Sequence, residues 1–214
     1  MKKSELRQII REEIQLIIES KNGNQVAQQC ARDIAKLLDR TFVGKKVSYG
    51  SDIGISDMIT CPPLMAPTPR YPMDDVISDD ISVEVYVKWE GDKKRSSITA
   101  ENQGVIIDGK KGSQLVSKAG KDIMKIIKKS FVGKKIKYQK DKRKTNPVIT
   151  GTIKDVVVSW LDYDYKYNID LAEGHIFEFV YVDVKWDDPE FEKVAPPSAF
   201  GGDLLQVGRD MEIG

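Results

Sequence analysis

Residues 162–173, DYDYKYNIDLAE, set oxygen-bearing side chains at the spacing of a calcium loop. Asp162, Asp164, Asn168, Asp170 and Glu173 fall at positions 1, 3, 7, 9 and 12 of an EF-hand register. Two residues spoil that chemistry. Lys166 brings a cation to position 5, and Tyr167 stands at position 6, where the sharp turn needs glycine. The preceding run, GTIKDVVVSW, patterns as a strand rather than as the entering helix of an EF-hand. Alternating Asp and Tyr describe a half-exposed hairpin, so no metal site is assigned here and no cofactor is expected.

Lysines offer a second chemistry, the binding of phosphate. Residues 109–145 hold 14 basic and 2 acidic side chains, while residues 146–214 hold 5 basic and 14 acidic. The overall formal charge of +1 conceals this split. Lys118, Lys121, Lys125 and Lys128 recur at helical three-and-four spacing and share one face. The run KKIKYQKDKRK follows, with Lys134, Lys135, Lys137, Lys142, Arg143 and Lys144 as further candidate phosphate contacts. Tyr138 is the one aromatic residue in that run, which gives base stacking little support. A solvated lysine face or a salt-bridged subunit contact is the competing reading.

Other reactive residues carry less. His175 is the only histidine, and no GxSxG sequence accompanies it. The GKK blocks at 44–46 and 133–135 lack the flanking residues of a phosphate-binding P-loop. Cys30 and Cys61 supply neither a disulfide framework nor a zinc spacing. The acidic cluster Asp74, Asp75, Asp79 and Asp80 reads as a solubilising strand flank. Nothing in these patterns assembles a catalytic constellation, and the chain is expected not to be an enzyme.

The elements that must position these residues come in two copies. QVAQQCARDIAKLLDRTFVGKKVSY, from Gln25 to Tyr49, matches QLVSKAGKDIMKIIKKSFVGKKIKY, from Gln114 to Tyr138, 89 positions later. Ten of the 25 aligned residues are identical, so the chain is a tandem duplication. The blocks VEVYVKW and VYVDVKW follow, ending at Trp89 and Trp186, 97 positions apart. The second copy therefore carries 8 extra residues between its two blocks. Each unit opens with a helix: Val26, Cys30, Ile34, Leu37 and Leu38 face inward in one, Val116, Ala119, Ile123, Ile126 and Ile127 in the other. FVGKK leads each helix into a strand ending at Tyr49 or Tyr138. The valines of each VxVxVKW block mark a strand with one buried face. Short strands are also expected at 97–100, 105–108 and 204–207, and the proline-rich run CPPLMAPTPRYP is excluded from any central strand. The rest of the tail from Ala195 reads as loop.

Outside the repeat, residues 4–19 read as an amphipathic helix. Leu6, Ile10, Ile14 and Ile17 make its apolar stripe and are the expected subunit-docking contacts. Asn22-Gly23-Asn24 ends this arm. The longest apolar runs are five residues or fewer, and no membrane partner is expected.

Two resemblances extend this reading. The strand sequence GKK[VI]xY, G-x-[IV], VxVxVKW resembles the small barrels of the SH3-like group, over roughly 45 to 60 residues of each copy. MKKSELRQIIREEIQ resembles the amphipathic leader of many tailed-bacteriophage proteins, and Ile17-Ile18-Glu19 is similar to the site at which a maturation protease removes such leaders. The fold expected is α+β: an arm at 1–22, then two helix-plus-barrel units at 23–110 and 111–214. The resemblance implies a non-enzymatic phage structural or assembly protein, located in the virion or the host cytoplasm. Its partners would be other virion or assembly proteins and further copies of itself. The alternative is a nucleic-acid-binding module, with DNA as partner, using the basic surface of 110–144.

Overall fold

The two periodic segments are helices of equal length, α1 (Gly23–Phe42) and α2 (Gly112–Phe131), each 20 residues long. At about 1.5 Å per residue each spans about 30 Å. The structure, a computed structural model, describes residues 21–61, 81–91, 95–139, 148–158, 163–164, 180–188, 204–208 and 211–214. Cys30, Ile34 and Leu38 are buried as their spacing requires, and so are their counterparts Ala119, Ile123 and Ile127. Leu37, Val26 and Ile126 are only partly buried, and the small residues Ala31, Ala35 and Gly120 are buried as well. α1 and α2 also pack on each other, and small side chains let two helices approach closely. Cys30, in the first half of α1, lies within hydrogen-bonding reach of Ser130, at the end of α2.

A side-chain capping pair opens α1, and backbone hydrogen bonds close both helices. The Asn22 side chain accepts a hydrogen bond from the Gln25 N–H at 2.9 Å, and the Asn22 N–H donates to the Gln25 side chain at 3.2 Å. This reciprocal pair satisfies two of the donors that a helix start leaves open. At the other ends, the N–H groups of Val43 and Val132 donate to the carbonyls of Asp39 and Lys128. The next residues, Gly44 and Gly133, have φ of +73° and +80°. Glycine tolerates that left-handed conformation, which is why FVGKK turns sharply into a strand both times.

Among the described residues the mixed α+β architecture consists of two helices and two antiparallel sheets. In the first sheet, β2 (Lys46–Tyr49), β3 (Asp52–Cys61), β4 (Glu84–Trp89) and β5 (Arg95–Thr99) follow one another as a meander. Then β6 (Ile106–Ile107) returns beside β2, and β7 (Lys110–Lys111) pairs with β6. The second sheet repeats the plan with β8 (Lys135–Tyr138), β9 (Ile149–Val158), β11 (Val180–Trp186) and β12 (Leu204–Gln206), and β13 (Met211–Ile213) returns beside β8. The edge strand beyond β13 is β1 (Lys21–Asn22), contributed from before α1. A further strand, β10 (Tyr163–Asp164), leaves the second half and pairs with β3 of the first.

The two halves share hydrogen bonds at aligned positions. The Gly44 N–H donates to the Ser56 carbonyl at 2.8 Å, and the Gly133 N–H to the Ile153 carbonyl at 2.9 Å. The Glu90 N–H donates to the Ile53 carbonyl at 2.8 Å, and the Asp187 N–H to that of Thr150 at 3.0 Å. Trp89 pairs with Gly54, and Trp186 with Gly151. A bulge skips Asp57 in β3 and Lys154 in β9, at matching places. The 8 extra residues of the second copy enter between its first two strands. Gly50 and Ser51 alone join β2 to β3, whereas residues 139–148 join β8 to β9.

One contiguous core takes residues from both halves. It includes Phe42, Phe131, Val83, Val85, Val87, Val180, Val182 and Val184. Three short strands, β1, β7 and β13, lie outside what the sequence patterns suggest. Lys21 and Asn22, assigned there to the arm, are β1, and residues 211–213, assigned to a loop-like tail, are β13. At two or three residues each, such strands are too short for a diagnostic alternation; neighbouring strands specify them.

Candidate functional site

α2 is the element that positions the candidate anion-binding side chains. Its buried residues occupy one side, and the macrodipole favours the cations Lys128 and Lys129 in its last turn. Lys118, Lys121, Lys125 and Lys128 are all exposed on the opposite side. From Lys118 to Lys128 the stripe rises about 15 Å along the helix axis. The only acidic side chain on α2 is Asp122, which meets Lys125 at 2.9 Å. That hydrogen bond, with the charges of Lys125 and Lys118, holds the Asp122 carboxyl below its ordinary pKa. No ion pair among the described residues engages Lys118, Lys121 or Lys128.

The remaining candidate lysines divide. Lys134 and Lys135 are exposed just beyond α2, and Lys137 is half-buried on β8. Lys135 already faces Asp187 at 3.6 Å, an ion pair within one chain between the basic segment and the acidic one. Lys142, Arg143 and Lys144 lie outside the described residues, as do the docking candidates Leu6, Ile10, Ile14 and Ile17. Of the calcium-like segment only Tyr163 and Asp164 are described, as β10 in an antiparallel ladder with Thr60 and Cys61. Asp162, Lys166, Tyr167, Asn168, Asp170, Glu173 and His175 lie outside the described residues. Among the described residues no group of three or more His, Cys, Asp or Glu converges as metal ligands would.

Sequence patterns missed a charged cluster on the first sheet. Asp57 Oδ2 accepts hydrogen bonds from Arg95 Nε at 3.1 Å and Nη2 at 2.6 Å, and Lys88 Nζ lies 3.2 Å away. Asp57 Oδ1 is buried without a hydrogen-bond partner. Partial burial pushes this carboxyl's pKa up, but the hydrogen bonds and charges of Arg95 and Lys88 outweigh it and hold the pKa below the ordinary value. The bulge is what turns Asp57 toward two cations, and no linear motif announces a bulge. In the second copy the same bulge carries Lys154, 4.0 Å from Asp183, so the charges are exchanged. Both arrangements neutralise charge locally and serve structure.

The two thiols are chemically quiet. Cys30 and Cys61 form no disulfide and are buried, each 1% exposed. Burial pushes the Cys30 pKa up to about 11 against a smaller lowering by Ser130. A protonated, inaccessible thiol is a poor nucleophile.

No protein-family model, curated protein or solved structure matches this chain. Among the described residues no helix is long and apolar enough to cross a membrane.

Proposed function

We propose that this protein is a non-enzymatic structural or assembly protein of a tailed bacteriophage, and that it works through contacts with other subunits in the virion or the host cytoplasm. The observation that carries this reading is the mutual packing of α1 and α2 in one core. Each helix of the duplication buries its apolar face on its twin and on the sheets. The stripe of Leu6, Ile10, Ile14 and Ile17 belongs to neither repeat. β1 pins residues 21 and 22, which follow that stripe in the sequence, to the edge of the second sheet. In a chain whose paired helices already cover each other, an apolar stripe that belongs to neither repeat is suited to docking on a neighbouring subunit.

The SH3-like reading of each unit belongs to the same proposal. Its support is the strand order: a four-stranded meander whose fifth strand returns beside the first, in both copies. Barrels of this size present loops and edges as contact surfaces, and no chemistry follows from them alone.

Light scattering coupled to size exclusion tests the proposal. The full chain should assemble beyond a monomer, and a variant beginning at Ser20 should fold but assemble less. Equal assembly of the two proteins would overturn the role of the arm.

A further inference from the structure

The two copies share a scaffold, and the charge differences between their helices have one sign. Gln29 of α1 corresponds to Lys118 of α2, and Asp39 to Lys128. Arg32 and Lys36 correspond to Lys121 and Lys125, which keep their charge. Within the helices, three basic and two acidic side chains on α1 become five basic and one acidic on α2. The buried faces remained apolar and the hydrogen bonds around FVGKK were kept. Folding therefore does not require the added charge, since α1 manages without it. The 8-residue insertion of the second copy also brings basic residues.

From this we infer that the lysine face of α2 binds the sugar–phosphate backbone of duplex DNA without reading sequence. Charge complementarity names the occupant. Lysine is depleted in protein–protein interfaces, whose centres are apolar and aromatic, and this stripe is four exposed lysines in a row. A rigid line of lysines about 15 Å long spans several phosphates of a strand that advances about 3.4 Å per nucleotide. The one aromatic side chain of α2, Phe131, is buried in the core, so the lysine face fits backbone contact rather than base stacking.

Fluorescence anisotropy of a labelled random-sequence duplex, titrated with the full chain at several KCl concentrations, tests this. Four phosphate contacts give a slope of log Kobs against log salt of about −3.6, an affinity loss of about a hundredfold between about 50 and 200 mM. The variant K118Q/K121Q/K125Q/K128Q should lose most of that slope and bind at least about tenfold more weakly at low salt. Changing the three basic side chains of α1, in R32Q/K36Q/R40Q, should leave binding within about twofold. The charge-keeping variant K118R/K121R/K125R/K128R should bind like the parent, which separates lost charge from a damaged helix. Parent-like binding by the glutamine variant, absent binding by the parent, or equal binding of poly-glutamate and DNA would overturn the inference.

Discussion

Lys21 pairs with Ile213 in the register in which Lys110 pairs with Ile107. The strand before each helix thus lies at the edge of a sheet beside the strand that ends a repeat. For Lys110 and Ile107 the link is covalent: Asp108 and Gly109 form a two-residue turn with φ of +46° and +76°. The Asp108 side chain reinforces it by accepting the Lys46 N–H at 3.0 Å. For Lys21 and Ile213 the same hairpin is open, and the two strands meet from opposite ends of the sequence.

A circular permutant follows from that relation. Joining Gly214 directly to Ser20 and opening the chain between Asp108 and Gly109 should give a folded protein, because the new link re-creates the turn and the cut opens its equivalent. Circular dichroism should show the parent spectrum. Truncation through Asn22 removes β1 and the cap of α1, whereas truncation through Glu19 leaves both in place. The longer deletion should therefore cost about 1–2 kcal/mol more than the shorter one. Urea melts of the two truncated proteins measure the difference.

Gly54 and Gly151 face the two tryptophan strands at close range. A Cβ at Gly54 would lie 2.5 Å from the Lys88 carbonyl oxygen, and one at Gly151 2.8 Å from that of Lys185. Each would also meet a valine methyl, of Val87 or Val184, at 2.6 Å. Gly54→Ala and Gly151→Ala should each lower stability by about 1–3 kcal/mol, read as a lower urea midpoint with an unchanged slope.

Burial of Cys30 makes stability sensitive to alkali. Its folded pKa, about 11, lies above the ordinary thiol value, so its contribution is complete below about pH 8.5 and is lost as pH rises through the folded value. Cys30→Ala, which installs the residue found at the equivalent position 119, should flatten the fall in melting temperature between about pH 8.5 and 11 relative to the parent. In the native protein at neutral pH, neither Cys30 nor Cys61 should react with a thiol reagent within the time that guanidinium-unfolded protein reacts fully.

Asp57 makes stability sensitive to acid. Arg95 and Lys88 depress its pKa, so its contribution is present above about pH 4 and is lost as pH falls through the lower folded value. Asp57→Asn should cost about 1 kcal/mol at neutral pH, the modest size reflecting exposed cationic partners. The gap between parent and variant should close near about pH 2, as thermal melts across the acid range would show.

Both large phenylalanines should matter equally. Phe42 and Phe131 close their helices at 0% exposure, and Phe42→Ala or Phe131→Ala should each cost about 3–5 kcal/mol in denaturant titration. A much smaller loss at one of them would mean that the two halves of the core differ in packing.

The repeat, its two helices and its valine strands were legible from residues alone, because each is written in a local period. Val83, Val85 and Val87 alternate, and Ile34, Leu38 and Phe42 recur at helical spacing, whatever else the chain does. The lysine face of α2 was legible for the same reason. Tertiary structure alone decided that Lys21 belongs beside Ile213, that Asp57 bulges toward Arg95, and that Ala31 and Gly120 are buried in a pair of helices that pack on each other. Those facts depend on partners distant in the sequence. A two-residue strand takes its identity from the edge it joins, and a small helical residue from the helix that packs on it, so neither leaves a period to read.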